Sequence, residues 1–502
     1  MTSNATKKPT VAVIGTGFTG ICAAIKVKQE LGIDAELFEI AKDVGGTWEA
    51  NTYPGLECDI PSHVYSFSFE PNPNWTRHFS PQAEIHTYLR NIAKKYDLYK
   101  NTRFETEMIR AEWNEKENNW LLEWRNVSNH QEIGSGSFDF VFAGLGPFRV
   151  PKYPQGVPID NFDGPVVHTA RWDHSIDFTN KKVAVIGSGA TAVQLIPALR
   201  KLTHHLYSYQ RTPAWVIKRN QFNYSRITKF LFRWVPLYMW VYRLYLFFRV
   251  DLSYIKIGYY NTWIGRFLRN LTAKSMASRL QRVGRSDLIP KLIPDFPLGC
   301  KRITKSEVYL EALAEKNVTL IRSGIKSIQG RTLVDNDGNE AEVDVLVLAT
   351  GYDVQQFTGN FDVYGRNNTR LVEQWMKYAP RTYKTVAMHG FPNLFLAMGP
   401  SAGLTHHSAV VMIEIQIDYA IKCMKHLGRN GLAAIEPKAA AQEAFITKLQ
   451  KSFDGTAFKG GCSSIFLDQN NEIFGIWSGT VCSFWRELRK PNYNDFLLYK
   501  KN

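Results

Sequence analysis

The sequence predicts an α/β fold of two Rossmann-like dinucleotide-binding domains, the second carrying a helical insertion. Three observations predict it. A glycine fingerprint, GTGFTG (15–20), follows an apolar run and opens a helix-like stretch. A second, GSGATA (187–192), repeats the arrangement, as an internal duplication of a nucleotide fold would. An aromatic-rich apolar segment then spans 225–270. The 502 residues, 44% hydrophobic and 21% charged, give room for two to four domains and a sizeable core. The expected boundaries are 8–150, 151–345 with the insertion at about 225–295, and 346–502, the first domain being split between the chain's two ends.

The formal net charge is +15. Lys and Arg are scattered, with no long basic run, so nucleic acid is not the expected partner; a basic surface also favours polyphosphate ligands. The six cysteines, Cys22, Cys58, Cys300, Cys423, Cys462 and Cys482, form no C-x-x-C pair. Neither a zinc ribbon nor a dithiol centre is signalled, no metal is expected, and dispersed cysteines suggest reduced thiols and an intracellular, cytoplasmic site. The N-terminus is polar and lacks the apolar region of a secretory signal.

In chain order, VAVIGTGFTG (11–20) reads as a strand, a glycine turn and a helix start. Gly15 makes the turn, Gly17 admits a pyrophosphate to the backbone, and Gly20 lets helix and strand pack closely. AELFEI (35–40) is the next strand and presents Glu39. A carboxylate there accepts hydrogen bonds from ribose hydroxyls and repels a 2′-phosphate, so FAD or NAD is expected rather than NADP. The stretch 43–69 is loop-like and aromatic: either a packed surface loop, or one in which Thr47, Trp48 and Tyr65 line a flat ring system and Asp59 aims a carboxylate at it. A helix is expected over about 81–97, a β-meander over 104–126, and an apolar strand ending in glycines over 138–148.

FDGPVVHTARWD (162–173) joins the two fingerprints. His168 and Trp172 are there either a hydrogen-bonded linker residue and a packing anchor, or a relay of motion between domains. After the second fingerprint, whose third position is Ala192, the strand at 204–215 carries no acid and offers Arg211 and Thr212. Arg211 is a solvated loop charge or a guanidinium set for a 2′-phosphate; the context favours the latter and hence NADPH, with Lys301 as a second phosphate contact. The run at 225–270 is broken by Arg233, Pro236, Arg243 and Arg249, which makes a poor transmembrane helix. Two readings remain: a helical insertion whose aromatics line or cover a substrate cavity, which is favoured, and an interfacial helix peripheral to a membrane. Lys301 and Arg302 precede a helix near 306–313, strand pairs follow over 318–348, and 390–408 supplies a strand, a glycine turn and a helix start that would face the electron-rich end of a flavin. The tail, 455–502, reads as aromatic and loop-rich.

These residues resemble the type I Baeyer–Villiger monooxygenases, a group of class B flavoprotein monooxygenases. The signature F-x-G-x-x-x-H-x-x-x-W-[PD] is met by Phe162, Gly164, His168, Trp172 and Asp173; the related flavin-containing monooxygenases usually carry Tyr-Lys in place of the last pair. GGTW (45–48), YPG (53–55), Cys58-Asp59, QRTP (210–213), CKR (300–302), ATGYD (349–353) and GFPNLF (390–395) also match. The resemblance covers nearly the whole chain. One departure is Ile465, in CSSIF (462–466), where many relatives carry a Trp over the nicotinamide nucleotide; it bears on how NADP⁺ is held and which substrates fit.

The resemblance implies one FAD, NADPH as hydride donor, and reaction of reduced flavin with O₂ to a C4a-peroxide that converts a ketone to an ester or lactone. It implies that Arg302 stabilises that peroxide, that Asp59 orients Arg302, and that His168 and Trp172 sit on a hinge coupling NADP position to oxygenation. The expected FAD contacts are Gly15, Thr16, Gly17, Phe18, Gly20, Glu39, Gly46, Thr47, Trp48, Asp59, Tyr65 and Met108. Those for NADPH are Gly187, Ser188, Gly189, Ala190, Ala192, Arg211, Thr212 and Lys301. Rival readings are an N- or S-oxygenating flavin-containing monooxygenase on the same fold, a disulfide-type reductase, for which no redox cysteine pair is visible, and a non-catalytic NADPH-binding protein.

Overall fold

The computed structural model describes residues 8–501 apart from 259, 356–360, 378–379, 463 and 469. Strand β1 (Val11–Ile14) is apolar and buried at every position, as a central strand covered on both faces must be. It turns through Gly15 into α1 (Phe18–Leu31). β2 (Glu36–Phe38) lies parallel to β1, and β3 (Thr102–Arg103) parallel to β2. Between β2 and β3 come α2 (Thr47–Ala50) and α3 (Gln82–Lys95). The stretch expected as loop at 43–69 therefore holds one short helix, begun by Gly46. β4 (Thr106–Asn114), β5 (Asn119–Asn126) and β6 (Ile133–Phe138) form the antiparallel meander. β7 (Phe140–Ala143) then returns beside β1.

The second unit opens with β8 (Val166–His168), β9 (Lys182–Ile186), α4 (Ala190–Leu199) and β10 (His205–Tyr209). β11 (Val216–Ile217) leads into the insertion: α5 (Arg226–Trp234), α6 (Pro236–Leu252), α7 (Ile255–Gly258), α8 (Trp263–Arg282) and α9 (Ile289–Leu292). β12 (Thr304–Lys305) pairs back onto β11. Then follow α10 (Tyr309–Leu313), β13 (Val318–Ile321), the antiparallel trio β14 (Ile325–Gln329), β15 (Thr332–Asp335) and β16 (Glu340–Glu342), and β17 (Val345–Leu348).

The chain finishes on the first unit. β18 (Asp362–Tyr364) pairs with β4, α11 (Leu371–Lys377) follows, and β19 (Leu394–Leu396) pairs with β7. α12 (Ala409–Arg429) packs on α1; β20 (Leu432–Pro437), α13 (Ala439–Ser452), α14 (Val481–Leu488) and β21 (Phe496–Lys500) close the tail. Two parallel sheets result, ordered β19-β7-β1-β2-β3 and β13-β10-β9-β17-β8. The boundary expected at 345 needs moving: β17 sits between β8 and β9 in the second sheet, so that unit extends to Leu348.

The aromatics of the insertion divide into an inner and an outer set. Phe232 and Tyr242 turn inward around His63, with ring centroids 4.5 and 5.5 Å away. Tyr245 and Phe248 help line a cavity of about 850 Å³ between α6, α7 and α8. Met239, Leu246, Ile257, Met276 and Leu280 are buried, whereas Trp234, Trp240 and Trp263 face solvent. Helix periodicity separates inner from outer positions, but the sequence does not say that nothing packs on the outer face. No helix among the described residues is long and apolar enough to cross a membrane.

Candidate active site

Both glycine turns are built by close backbone approach. A Cβ on Gly20 would lie 1.8 Å from the Gly15 carbonyl oxygen, and one on Gly187 would lie 2.3 Å from the Ala349 oxygen. Only glycine lets α1 meet the β1 turn at the first site, and lets the turn after β9 meet the chain leaving β17 at the second. Gly17 faces the backbone of Gly46. Glu39, at the end of β2, is buried; its carboxylate accepts from the Thr16 N–H and hydroxyl at 2.7 Å each and from the Ala41 N–H at 2.9 Å.

Trp48 is buried on α2 and its Nε1–H donates to the Tyr65 hydroxyl at 3.1 Å. The Tyr65 ring stands edge-on to Phe18 at 5.1 Å. Thr47 is exposed on that helix. The Met108 side chain is buried in the core cluster with Phe38 and Trp120.

At the second turn Gly189 has nothing within 4 Å of where a Cβ would be, so the backbone before α4 is bare. The Ser188 hydroxyl donates to the Thr212 carbonyl at 2.6 Å. Ala190 opens α4, and Ala192 is fully buried against the sheet, where a third glycine was not required. Arg211 is exposed at the same mouth. Burial and then the neighbouring Arg211 hold the Lys301 ammonium below the usual lysine range. Two cations that repel each other beside a bare helix N-terminus make a site for a polyanion.

The two units are joined by the loop after α2. Gly55 lies on the Gln194 carbonyl of α4, Tyr53 donates to Gln194 Oε1 at 3.1 Å, and Gln194 Nε2 donates to the Glu57 carbonyl at 2.7 Å. Two residues on, Asp59 receives Arg302 Nη2 on both oxygens, at 2.8 and 2.7 Å. Arg302 Nη1 donates to the Thr405 carbonyl at 2.6 Å, and Lys305 Nζ donates to the Asp59 carbonyl at 2.8 Å. One guanidinium thus ties together the loop of the first unit, the end of the insertion and the start of α12. Burial pushes the Asp59 carboxyl up, but Arg302 and Lys305 outweigh it and hold the group below the usual carboxylate range. Burial opposes the charge on Arg302, and Asp59 more than restores it. Lys305 is held below its ordinary value by burial. No motif singles out Lys305, which lies on β12 beside β11 and reaches the Asp59 carbonyl 246 residues away.

The signature stretch lies on the edge of the second sheet. Gly164 is needed there, because a Cβ would strike the Phe162 ring at 2.6 Å and the Asp344 carbonyl at 2.7 Å. His168 ends β8; its Nδ1 accepts from the Ala170 N–H at 3.1 Å and its Nε2 is 3.2 Å from the Thr350 hydroxyl. Burial holds this imidazole below its ordinary pKa, hence neutral near pH 7. Trp172 stacks on Phe178 with centroids 5.2 Å apart, and Asp173 accepts from the Ser175 N–H and hydroxyl. These contacts are separate from the Asp59–Arg302 pair.

The C-terminal loop corrects the expectation of reduced thiols. Cys22, Cys58, Cys423 and Cys482 are free, but Cys300 and Cys462 form a disulfide with Cα atoms 6.2 Å apart. It staples the CSSIF loop to the residue preceding Lys301 and Arg302. The partners stand 162 residues apart, too far for a spacing motif to disclose. Ile465 is half exposed on that loop, and Ser463 lies outside the described residues.

Flavin-binding monooxygenase-like proteins, as a family, match residues 7–235. A Baeyer–Villiger monooxygenase of Pseudomonas aeruginosa is 38% identical over 485 residues, covering 95% of this chain and 87% of the relative. The crystal structure of OTEMO in complex with FAD and NADP superposes with a TM-score of 0.84 at 26% identity, over 98% of this chain and 99% of that one. Cyclohexanone monooxygenase from Rhodococcus sp. Phi1, bound to NADP⁺, gives a TM-score of 0.85 at 25% identity, over 98% of this chain and 100% of the other.

Proposed function

The chain belongs to the Baeyer–Villiger monooxygenases of the flavin-binding monooxygenase family, and from that premise we propose that it converts a ketone to an ester or lactone with Arg302 as the charge that makes this possible. It is an FAD- and NADPH-dependent oxidoreductase acting on a small molecule with O₂. The residues fit both cofactors. The Gly17–Gly46 approach leaves a cradle that a Cβ would fill, and Glu39 suits a ribose bearing no phosphate. At the second site Arg211, Lys301 and the bare backbone at Gly189 suit a 2′-phosphorylated nucleotide. When bound, the flavin accepts hydride from NADPH and activates O₂.

The observation that carries the reading is the Asp59–Arg302 pair, one guanidinium nitrogen against both carboxylate oxygens and the other on the Thr405 carbonyl, at the junction of three chain segments. A guanidinium does not lose its proton, and a planar fork clamped by a carboxylate and a carbonyl is positioned before the reaction begins. Arg302 therefore holds fixed positive charge where nucleophilic oxygen insertion into a carbonyl builds negative charge. Asp59 orients it, and Lys305 holds the Asp59 backbone. Oxygenation of an amine or thioether uses a neutral electrophilic oxygen and has less need of such a charge, which is why the ketone is preferred.

Arg302→Ala is expected to keep NADPH-driven bleaching of the flavin and to lose ester or lactone by at least ~100-fold, the usual cost of removing one oriented stabiliser of developing charge. Product analysis over cyclic ketones, thioethers and amines checks both points. Wild-type ester yield in the variant, or product from the heteroatom substrates alone, contradicts the proposal.

A further inference from the structure

The helical insertion carries a surface that neither nucleotide site uses. Between Arg226 and Arg282 the chain has eleven Lys or Arg residues and a single acid, Asp251. Asp251 is buried, accepting the Val481 N–H at the start of α14 at 2.7 Å. Two of the basic residues are likewise spent inside. Arg243 donates to the Ser66 hydroxyl and to the Ser66 and Phe67 carbonyls, fastening the inner face of α6 to the first unit. Arg279 is paired with Glu311. Arg226, Lys229, Arg233, Arg249, Arg266 and Lys274 remain at or near the surface with no ion pair among the described residues.

The same helices expose large apolar side chains. Leu237, Trp240, Leu244 and Phe248 recur at three- and four-residue steps along the outer face of α6; Trp263 and Phe267 continue the pattern on α8. Trp240 is 59% and Trp263 72% exposed. Leu244 and Phe248 of α6 share the walls of the cavity of about 850 Å³ with Leu268 of α8, beside Arg249 and Lys256, so the outer face of α6 runs on to α8 at that point.

We infer that this face of the insertion docks on an anionic lipid bilayer, tryptophans in the interface and arginines and lysines at the head groups. Indole rings among basic residues are the side chains that settle at a lipid–water interface. Each cation near an anionic leaflet adds to the attraction. A second copy of this chain is a poor occupant, since its equivalent face would set unpaired positive charge against the same. The helices lie on the bilayer rather than cross it, in keeping with their breaks at Val235, Ser253 and Thr262.

The test is co-sedimentation of the full-length holoenzyme with vesicles of phosphatidylcholine containing about 30% phosphatidylglycerol, against pure phosphatidylcholine. Binding to the anionic vesicles, at least roughly tenfold weaker on the zwitterionic ones and at about 0.5 M salt, is expected. A Trp234→Ser/Trp240→Ser/Trp263→Ser variant and an Arg233→Glu/Arg266→Glu variant each lose roughly tenfold or more of that partitioning. Both keep their bound FAD and its bleaching by NADPH, which shows that they fold. Wild-type protein left in the supernatant, or equal partitioning by either variant, overturns the inference. So does a concentration-dependent dimer, in sedimentation velocity without lipid, that the tryptophan variant abolishes.

Discussion

At the scale of single residues, the clearest dependence is that of Arg302 on Asp59. Asp59→Asn keeps the shape but removes the charge and one strong acceptor, leaving the guanidinium held by the Leu404 and Thr405 carbonyls. Ester formed per NADPH consumed is expected to fall roughly 10–100-fold with flavin reduction little changed. A ratio equal to wild type removes Asp59 as a positioning residue. His63 poses a different question. It is fully buried, neither ring nitrogen has a hydrogen-bond partner among the described residues, and the rings of Tyr224, Phe232 and Tyr242 surround it. Burial, with Arg243 and His78 nearby, pushes its pKa from 6.5 down to about 3. The unfolded chain therefore takes up this proton first, and stability is lost as pH falls below about 6.5, by about 1.4 kcal/mol per pH unit down to the folded-state pKa. His63→Phe is expected to flatten the melting temperature against pH between about 6.5 and 4; an unaltered slope means that His63 titrates freely in the folded protein. Asp59 and Arg302 stood out in the sequence through the resemblance. His63 did not, because a lone histidine in a loop reveals nothing of the three rings the insertion brings to it.

Among the elements, the first glycine turn packs α1 closely on β1, as its spacing predicted. The Gly20 position tolerates no side chain: a Cβ lies within bonding distance of the Gly15 carbonyl, so α1 must retreat from β1. Gly20→Ala is expected to cost about 1–3 kcal/mol, as forced overpacking does, and to leave purified protein with little bound FAD. Full flavin content in the variant refutes the role given to this turn. The insertion shows where element-level reading stops. Its helical character was expected from the interrupted apolar run, and Pro236 opens α6 at a first-turn position where proline is tolerated. Which arc of each helix is covered depends on partners distant in sequence, such as Ser66 and Ser478, which receive Arg243 and Tyr254.

Across the molecule, the candidate active site is a junction held by a few long-range ties. Asp59 and Arg302 are 243 residues apart, and Cys300 and Cys462 are 162 apart. Alkylation of the unfolded protein is expected to find four thiols before reduction and six after it; six from the start excludes the bond. Cys462→Ser removes a long closed loop, a change worth on the order of 2–4 kcal/mol, so the melting temperature is expected to drop by several degrees. The same staple holds the Ile465 loop near the Lys301–Arg302 stretch, so the variant also measures how far that loop governs NADPH affinity.

Reading the chain residue by residue was enough for the two glycine turns, for the order of strands and helices around them, and for singling out Glu39, Arg211 and Lys301 as charges beside them. Each is a local property: a glycine where φ or close approach forbids a Cβ, or a charge at a set distance beyond a strand. Packing alone brought Lys305 to Asp59, bonded two distant thiols, set β17 in the second sheet and turned the tryptophans of the insertion to solvent. Those outcomes depend on which surfaces meet. Burial and pairing between residues hundreds of positions apart are properties of the packed chain, and no window of sequence contains both partners.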